Sequence, residues 1–154
     1  MKRNLILFLF LIFVVNIYAQ TLIKIPDTLF CPLNEIYLPV YAENFSDAGA
    51  ITLFISYDTI LSEFISVENI NPELDNMLFH EKDGKIGAAW HSKEGITCMN
   101  ERLFDLRLKY FGGDAVFAFS NECEVAGTAL DILPVNFQDG AIQPSDSISQ
   151  VFIF

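Results

Sequence analysis

Two histidines, three cysteines and twenty carboxylates are the groups in this 154-residue chain whose types could carry chemistry. His80 and His91 could share a metal ion or relay a proton only if their rings converged. The turn between them decides this. Asp83-Gly84 is a type I′ hairpin signal, because both central positions of that turn need positive φ. A two-residue loop pairs Lys82 with Lys85, His80 with Gly87, Leu78 with Ala89 and Asn76 with His91. The histidines then share one face but stand about 13 Å apart, at roughly 3.4 Å per residue. Both read as surface histidines.

The other groups fare no better. Cys31, Cys98 and Cys123 form no CxxC or Cys/His array, so zinc has no ligand spacing here. No GxSxG, P-loop, HExxH or EF-hand pattern occurs. Two of the twenty acids could form a glycosidase pair, but carboxylates spaced along strands usually make a solvated face. Asp and backbone oxygens in a loop such as Asn44–Asp47 could hold a weak structural calcium. Asn44-Phe45-Ser46 matches an N-glycosylation sequon. No catalytic constellation and no cofactor are expected.

The elements that carry these residues read as strands throughout. A chain 52% hydrophobic, 14% aromatic and 19% charged is too apolar for disorder and sized for one core. Net charge −11 argues against nucleic acid and against anionic membranes, which both need a basic footprint. Met1 to Ala19 reads as a signal peptide: Lys2 and Arg3, the apolar run Leu5 to Val15, then Ala19 at the cleavage point. That predicts a secreted, extracellular chain without a membrane span. In an oxidising compartment three cysteines allow one structural disulfide, with all three pairings open.

Period-two alternation bounded by Pro, Gly, Asn and Asp marks the strands. They fall at Glu35–Glu43, Ala50–Tyr57, Leu61–Ile70, Met77–Lys82, Lys85–His91 and Leu103–Tyr110. Val116–Phe119, Glu122–Val125, Ile132–Phe137 and Ala141-Ile142 complete the series. Pro39 places its strand at an edge or a bulge. About nine short strands predict an all-β antiparallel sandwich over residues 22–142, followed by a tail at 143–154. Ile51, Leu53, Met77 and Trp90 share the apolar parity, so Trp90 is a core residue rather than a sugar platform.

The order of these pieces resembles a cohesin domain, in the divergent form found in secreted bacterial proteins outside the cellulosomes. The resemblance rests on Glu35-Ile36-Tyr37-Leu38-Pro39-Val40, then Asn44 to Ala50 leading into Ile51-Thr52-Leu53-Phe54-Ile55-Ser56-Tyr57-Asp58. Leu61 and its strand follow, then Leu103-Phe104-Asp105-Leu106, Phe111-Gly112-Gly113, and Phe137-Gln138-Asp139-Gly140-Ala141-Ile142. It implies a nine-stranded jelly roll related to carbohydrate-binding modules. It also implies a role in polysaccharide degradation, where cohesins hold dockerin-bearing enzymes. In such a domain the partner docks on the flat outer face of the strand ending in Tyr57-Asp58 and the hairpin after it.

Here that face would present Ala50, Thr52, Phe54, Ser56, Leu78, His80, Gly87, Ala89 and His91. Small residues beside Phe54 and Leu78 make a flat, partly apolar patch suited to a protein. The chain departs from the family at Ala50 and Thr52, where dockerin binders carry Asn and Asp. Carbohydrate is the other ligand considered, with Tyr37 and Tyr41 as stacking residues on the polar parity of their strand. A self-associating structural or adhesin subunit is the alternative function. The tail ends Val-Phe-Ile-Phe, an apolar terminus that needs packing.

Overall fold

The computed structural model describes residues 20–145. The segment read as a signal peptide, Met1 to Ala19, and the last nine residues of the tail lie outside them. Among the described residues ten strands form: β1 (Thr21–Lys24), β2 (Thr28–Phe30), β3 (Asn34–Tyr57), β4 (Ser62–Glu68) and β5 (Leu78–Lys82). Then come β6 (Lys85–Tyr110), β7 (Ala115–Phe119), β8 (Glu124–Gly127), β9 (Val135–Gln138) and β10 (Gly140–Pro144). A single 3-10 turn, Pro72–Leu74, is capped by the Asn71 side chain.

The expected pair Glu35–Glu43 and Ala50–Tyr57 are two halves of one 24-residue strand, β3. It lies antiparallel to the 26-residue β6, which absorbs Ser92–Arg102, a stretch with no strand signal of its own. Register shifts at Val40/Tyr41, Phe45/Ala48 and Ala48/Ala50 interrupt the ladder. Asn44 and Asp47 take φ 56 there, and Gly95 on the facing strand takes φ 66. Asn, Asp and Gly tolerate that left-handed region at least cost, so these residues bend the ribbon.

The bend reverses which parity of β3 faces inward. Before it Ile36, Leu38, Val40 and Ala42 are buried; after it Ile51, Leu53 and Ile55 are. Both sets join one core cluster with Phe104, Leu106, Leu108, Tyr110 and Phe117. Two layers therefore close on a single interior, as a sandwich must. One layer has the first half of β3 between β1 and β6, with β4 beyond β6; the other has its second half beside β6, β7 and β8. Trp90 (6% exposed) and Met77 (7%) are in the core with Ile51 and Leu53, as the alternation predicts.

Four expectations change. The sandwich is not wholly antiparallel, since β1 pairs β9 and β10 pairs β2 in parallel. Ile132 makes only an isolated bridge to Ala126, so that strand starts at Val135. No disulfide forms: Cys31 is exposed, Cys98 buried and Cys123 half-buried, each a free thiol. β10 also runs to Pro144, taking the first two tail residues into the sheet. Pro39 does lie where only β6 pairs with β3, one residue before a register shift.

Asp105 is the buried charge that ties this layer together. Its Oδ2 accepts from Asn69 Nδ2 at 2.7 Å and from Arg102 Nη1 at 3.0 Å, while Oδ1 has no partner among the described residues. Removing the carboxylate breaks its hydrogen bonds to Asn69, as β4 ends, and to Arg102. Asp105→Ala should lose about 1–3 kcal/mol in urea unfolding, the net worth of hydrogen bonds to a charged group. A wild-type midpoint would show that the contact holds nothing.

Tyr57 supplies a pH dependence. Burial, and then its 3.0 Å hydrogen bond to Glu81, push its hydroxyl up from 10.0 to about 12. The folded chain thus keeps a proton that the unfolded chain releases. This contribution is intact below pH 10 and fades as the pH rises toward 12. Thermal melts of Tyr57→Phe across that window should show a shallower alkaline decline than wild type.

Candidate docking face

The second half of β3, with β8 on one side and β6 and β5 on the other, builds an open outer face. Its rows follow from the registers. Ala50 lies between Ala126 and His91, and Thr52 between Glu124 and Ala89, with Leu78 beyond. Phe54, Gly87 and His80 make the next row, and Ser56, Lys85 and Lys82 the last. The hairpin register is the expected one, with Asp83 at φ 53 and Gly84 at φ 77 in its turn.

All eight side chains expected on this face point out of the core. Leu78 is 72% exposed; Ser56, His80, Ala89 and His91 are exposed, and Ala50, Thr52 and Phe54 half-buried. Shallow depressions tile the surface. One, of about 450 Å³, runs between Phe54 and Leu78 over Gly87 and Ala89. A second continues past Ala50 and Asn76 to His91, and a third lies at the Lys82–Lys85 end. Gly87 keeps the middle open, since a Cβ there would meet the Phe54 ring at 3.4 Å.

Phe54 is held from behind by groups with no signal in their local sequence. β8 pairs with β3 up to Thr52 and β7 resumes at Ile55, leaving Phe54 at the gap. There its N–H donates to Cys123 Sγ at 3.2 Å, and its carbonyl accepts from Ser120 N at 2.9 Å. Lys85 Nζ lies 4.6 Å from the ring centroid and pairs with Glu122 at 2.6 Å. Leu130, 89% exposed in the loop after β8, lines a further depression with Ala50 and His91. Cys123, Lys85, Glu122 and Leu130 are absent from the sequence-derived set. Only Lys85 was within reach of it, through the hairpin register.

Tyr37 and Tyr41 sit elsewhere, outside the other layer. Tyr37 is 47% exposed opposite Arg107, whose guanidinium donates to Glu35 at 2.6 Å and is held more firmly protonated by that carboxylate. Tyr41 is half-buried beside Arg102, raising the pKa of that guanidinium, with Asp105 adding to the effect. Their polar parity is as expected, but arginines flank both rings. The two histidines are separated as the register requires, and no group of three His, Cys, Asp or Glu side chains gathers among the described residues. Asn44–Asp47 is not the loop expected for calcium, being part of β3. There Asp47 accepts from Thr128 Oγ1 at 2.6 Å, and the Asn44 amide donates to Gln20 O at 3.1 Å.

No protein-family model and no curated protein matches this chain. Solved structures do. A non-cellulosomal cohesin from the hyperthermophilic archaeon Archaeoglobus fulgidus is 19% identical with TM-score 0.72, over 82% of this chain and 92% of its own. The sixth cohesin of Acetivibrio cellulolyticus scaffoldin B, solved with a mutant Cel5 dockerin, is 16% identical with TM-score 0.74, covering 82% and 100%. A type I cohesin–dockerin complex from Clostridium thermocellum gives 17% and 0.72 over the same shares.

The fold is that of a cohesin.

This cohesin fold explains the order of strands across the open face, where β8, β3, β6 and β5 lie side by side while β2, β10 and β7 close the remaining edge. The shape persists at such low identity because it depends on parity and turns rather than on particular side chains. The Cys123 thiol takes up the Phe54 N–H in this scaffold. Cys123→Val should lower stability by about 1 kcal/mol by stranding the Phe54 N–H, whereas Cys123→Ser keeps an acceptor and most of the stability. Equal urea midpoints for the two variants would exclude that role.

Proposed function

We propose that the chain is a non-catalytic, exported cohesin-type module that docks a dockerin-bearing protein through the β8–β3–β6–β5 face. One observation carries this: a flat sheet face with Phe54 and Leu78 raised between Ala50, Thr52, Gly87 and Ala89, open along its length. Small residues let a rigid partner approach the sheet, and the two larger side chains supply apolar contact area. The basic start and apolar run of Met1 to Ala19 support export. The cohesin fold supports a place in polysaccharide degradation.

Recombinant dockerin modules titrated against the chain by calorimetry test the reading. Phe54→Asp should weaken binding by about 2 kcal/mol, roughly thirtyfold, as a central anchor does. Its circular dichroism and melting temperature should stay close to wild type, because the ring is half-buried outside the core. Unfolding of the variant would place Phe54 in the interior. Wild-type affinity for glycans with none for dockerins would replace the partner with carbohydrate, and concentration-dependent light scattering would replace it with a second copy.

A further inference from the structure

On the docking face basic and acidic side chains alternate, Lys82, Lys85 and Lys93 with Asp83, Glu122 and Glu124, and the basic ones gather at its two ends. The chain is acidic, with 20 Asp and Glu against 9 Lys and Arg. Yet Lys82 and Lys85 stand directly opposite each other at one end of this face, beside His80, and Lys93 lies past His91 at the other. Like charges facing each other across a strand pair destabilise the hairpin that holds them. Only one of the two is neutralised: Lys85 pairs with Glu122, whereas Lys82 has no ion-pair partner among the described residues. Asp83, in the turn, borders the same depression without closing an ion pair. Glu81 points to the other side, its carboxylate taken by the Tyr57 hydroxyl and Gly84 N.

Resting on the docking reading above, we infer that Lys82 and Lys85 form a seat for a carboxylate of the partner protein. The seat is the depression of about 490 Å³ bounded by Phe54, His80, Lys82, Asp83, Lys85 and Gly87. An Asp or Glu side chain entering it meets Lys82 directly and Lys85 through the edge of its pair with Glu122. Apolar atoms of the same partner then lie on Phe54, whose ring already holds the Lys85 ammonium 4.6 Å from its centroid. The Lys82 ammonium, in no ion pair of its own among the described residues, then selects a carboxylate at this point of the partner's contact surface.

Substitution at Lys82 separates this from a merely structural role. Lys82→Glu gives the hairpin a favourable cross-strand pair with Lys85, so its melting temperature should equal or exceed wild type. Binding should move the other way. For dockerin modules that bind the wild-type chain, Lys82→Glu should weaken affinity about tenfold or more, with Lys82→Gln in between. The wild-type affinity should fall between 50 and 500 mM NaCl, and Lys82→Glu should lose most of that dependence. Zero-length carbodiimide coupling should join Lys82 to an Asp or Glu of the bound dockerin module in the peptide map.

Wild-type affinity in Lys82→Glu, together with lost binding in Phe54→Asp, would overturn the carboxylate seat and leave the docking reading standing. Coupling of Lys82 to a carboxylate of a second copy would overturn it in favour of self-association. A wild-type chain that binds none of the dockerin modules removes both readings.

Discussion

Everything in this molecule hangs on the long antiparallel pairing of β3 with β6. The two strands run side by side from Asn34 opposite Tyr110 to Ser56 opposite Lys85, and the hairpin and flanking strands attach to that ribbon. A ribbon of this length cannot bury one face while it stays flat. Asn44 and Asp47, with Gly95 across from them, bend it so that its halves face each other and close the core. The parity reversal between Val40 and Ile51 is the outcome, and it puts apolar residues inside on both arms. A regular pairing through the bend would turn one arm's apolar set to solvent.

The docking face follows from the same constraint. Turning Ile51, Leu53 and Ile55 inward obliges Ala50, Thr52, Phe54 and Ser56 to turn outward. The Asp83-Gly84 turn then sets β5 in a fixed register beside them, bringing Leu78, His80 and Lys82 to the same surface. β7 and β8 leave a gap behind Phe54, where a thiol rather than a strand takes up the backbone N–H. A sheet face of this kind has fixed backbone geometry, so its chemical character falls to side-chain choice along four strands.

Electrostatics divides the surface further. The chain as a whole is acidic, with net charge −11. The layer bearing Tyr37 and Tyr41 gathers its arginines into local pairs, Arg107 with Glu35 and Glu68 and Arg102 with Asp105. At the hairpin end of the candidate docking face Lys85 pairs with Glu122, and Lys82 is in no ion pair among the described residues.

Much of this was legible from residue order alone. Alternation placed Ile51, Leu53, Met77 and Trp90 inside, and the positive-φ pair Asp83-Gly84 set the hairpin register, because both are short-range consequences of backbone geometry. The spacing of the histidines followed from that register without further information. Tertiary structure alone decided what lies beyond the reach of local rules. Asn44–Asp47 looked like a loop but continues a strand, because β6 arrives from fifty residues away to pair with it. Ser92–Arg102 is strand only because β3 is there to receive it. Cys123 behind Phe54, Glu122 beside Lys85 and Leu130 at the rim come from segments about forty to eighty residues distant, joined by chain closure rather than by turns. The cysteines stay apart for the same reason: their strands are fixed by the core, and nothing in their spacing could say where those strands would lie.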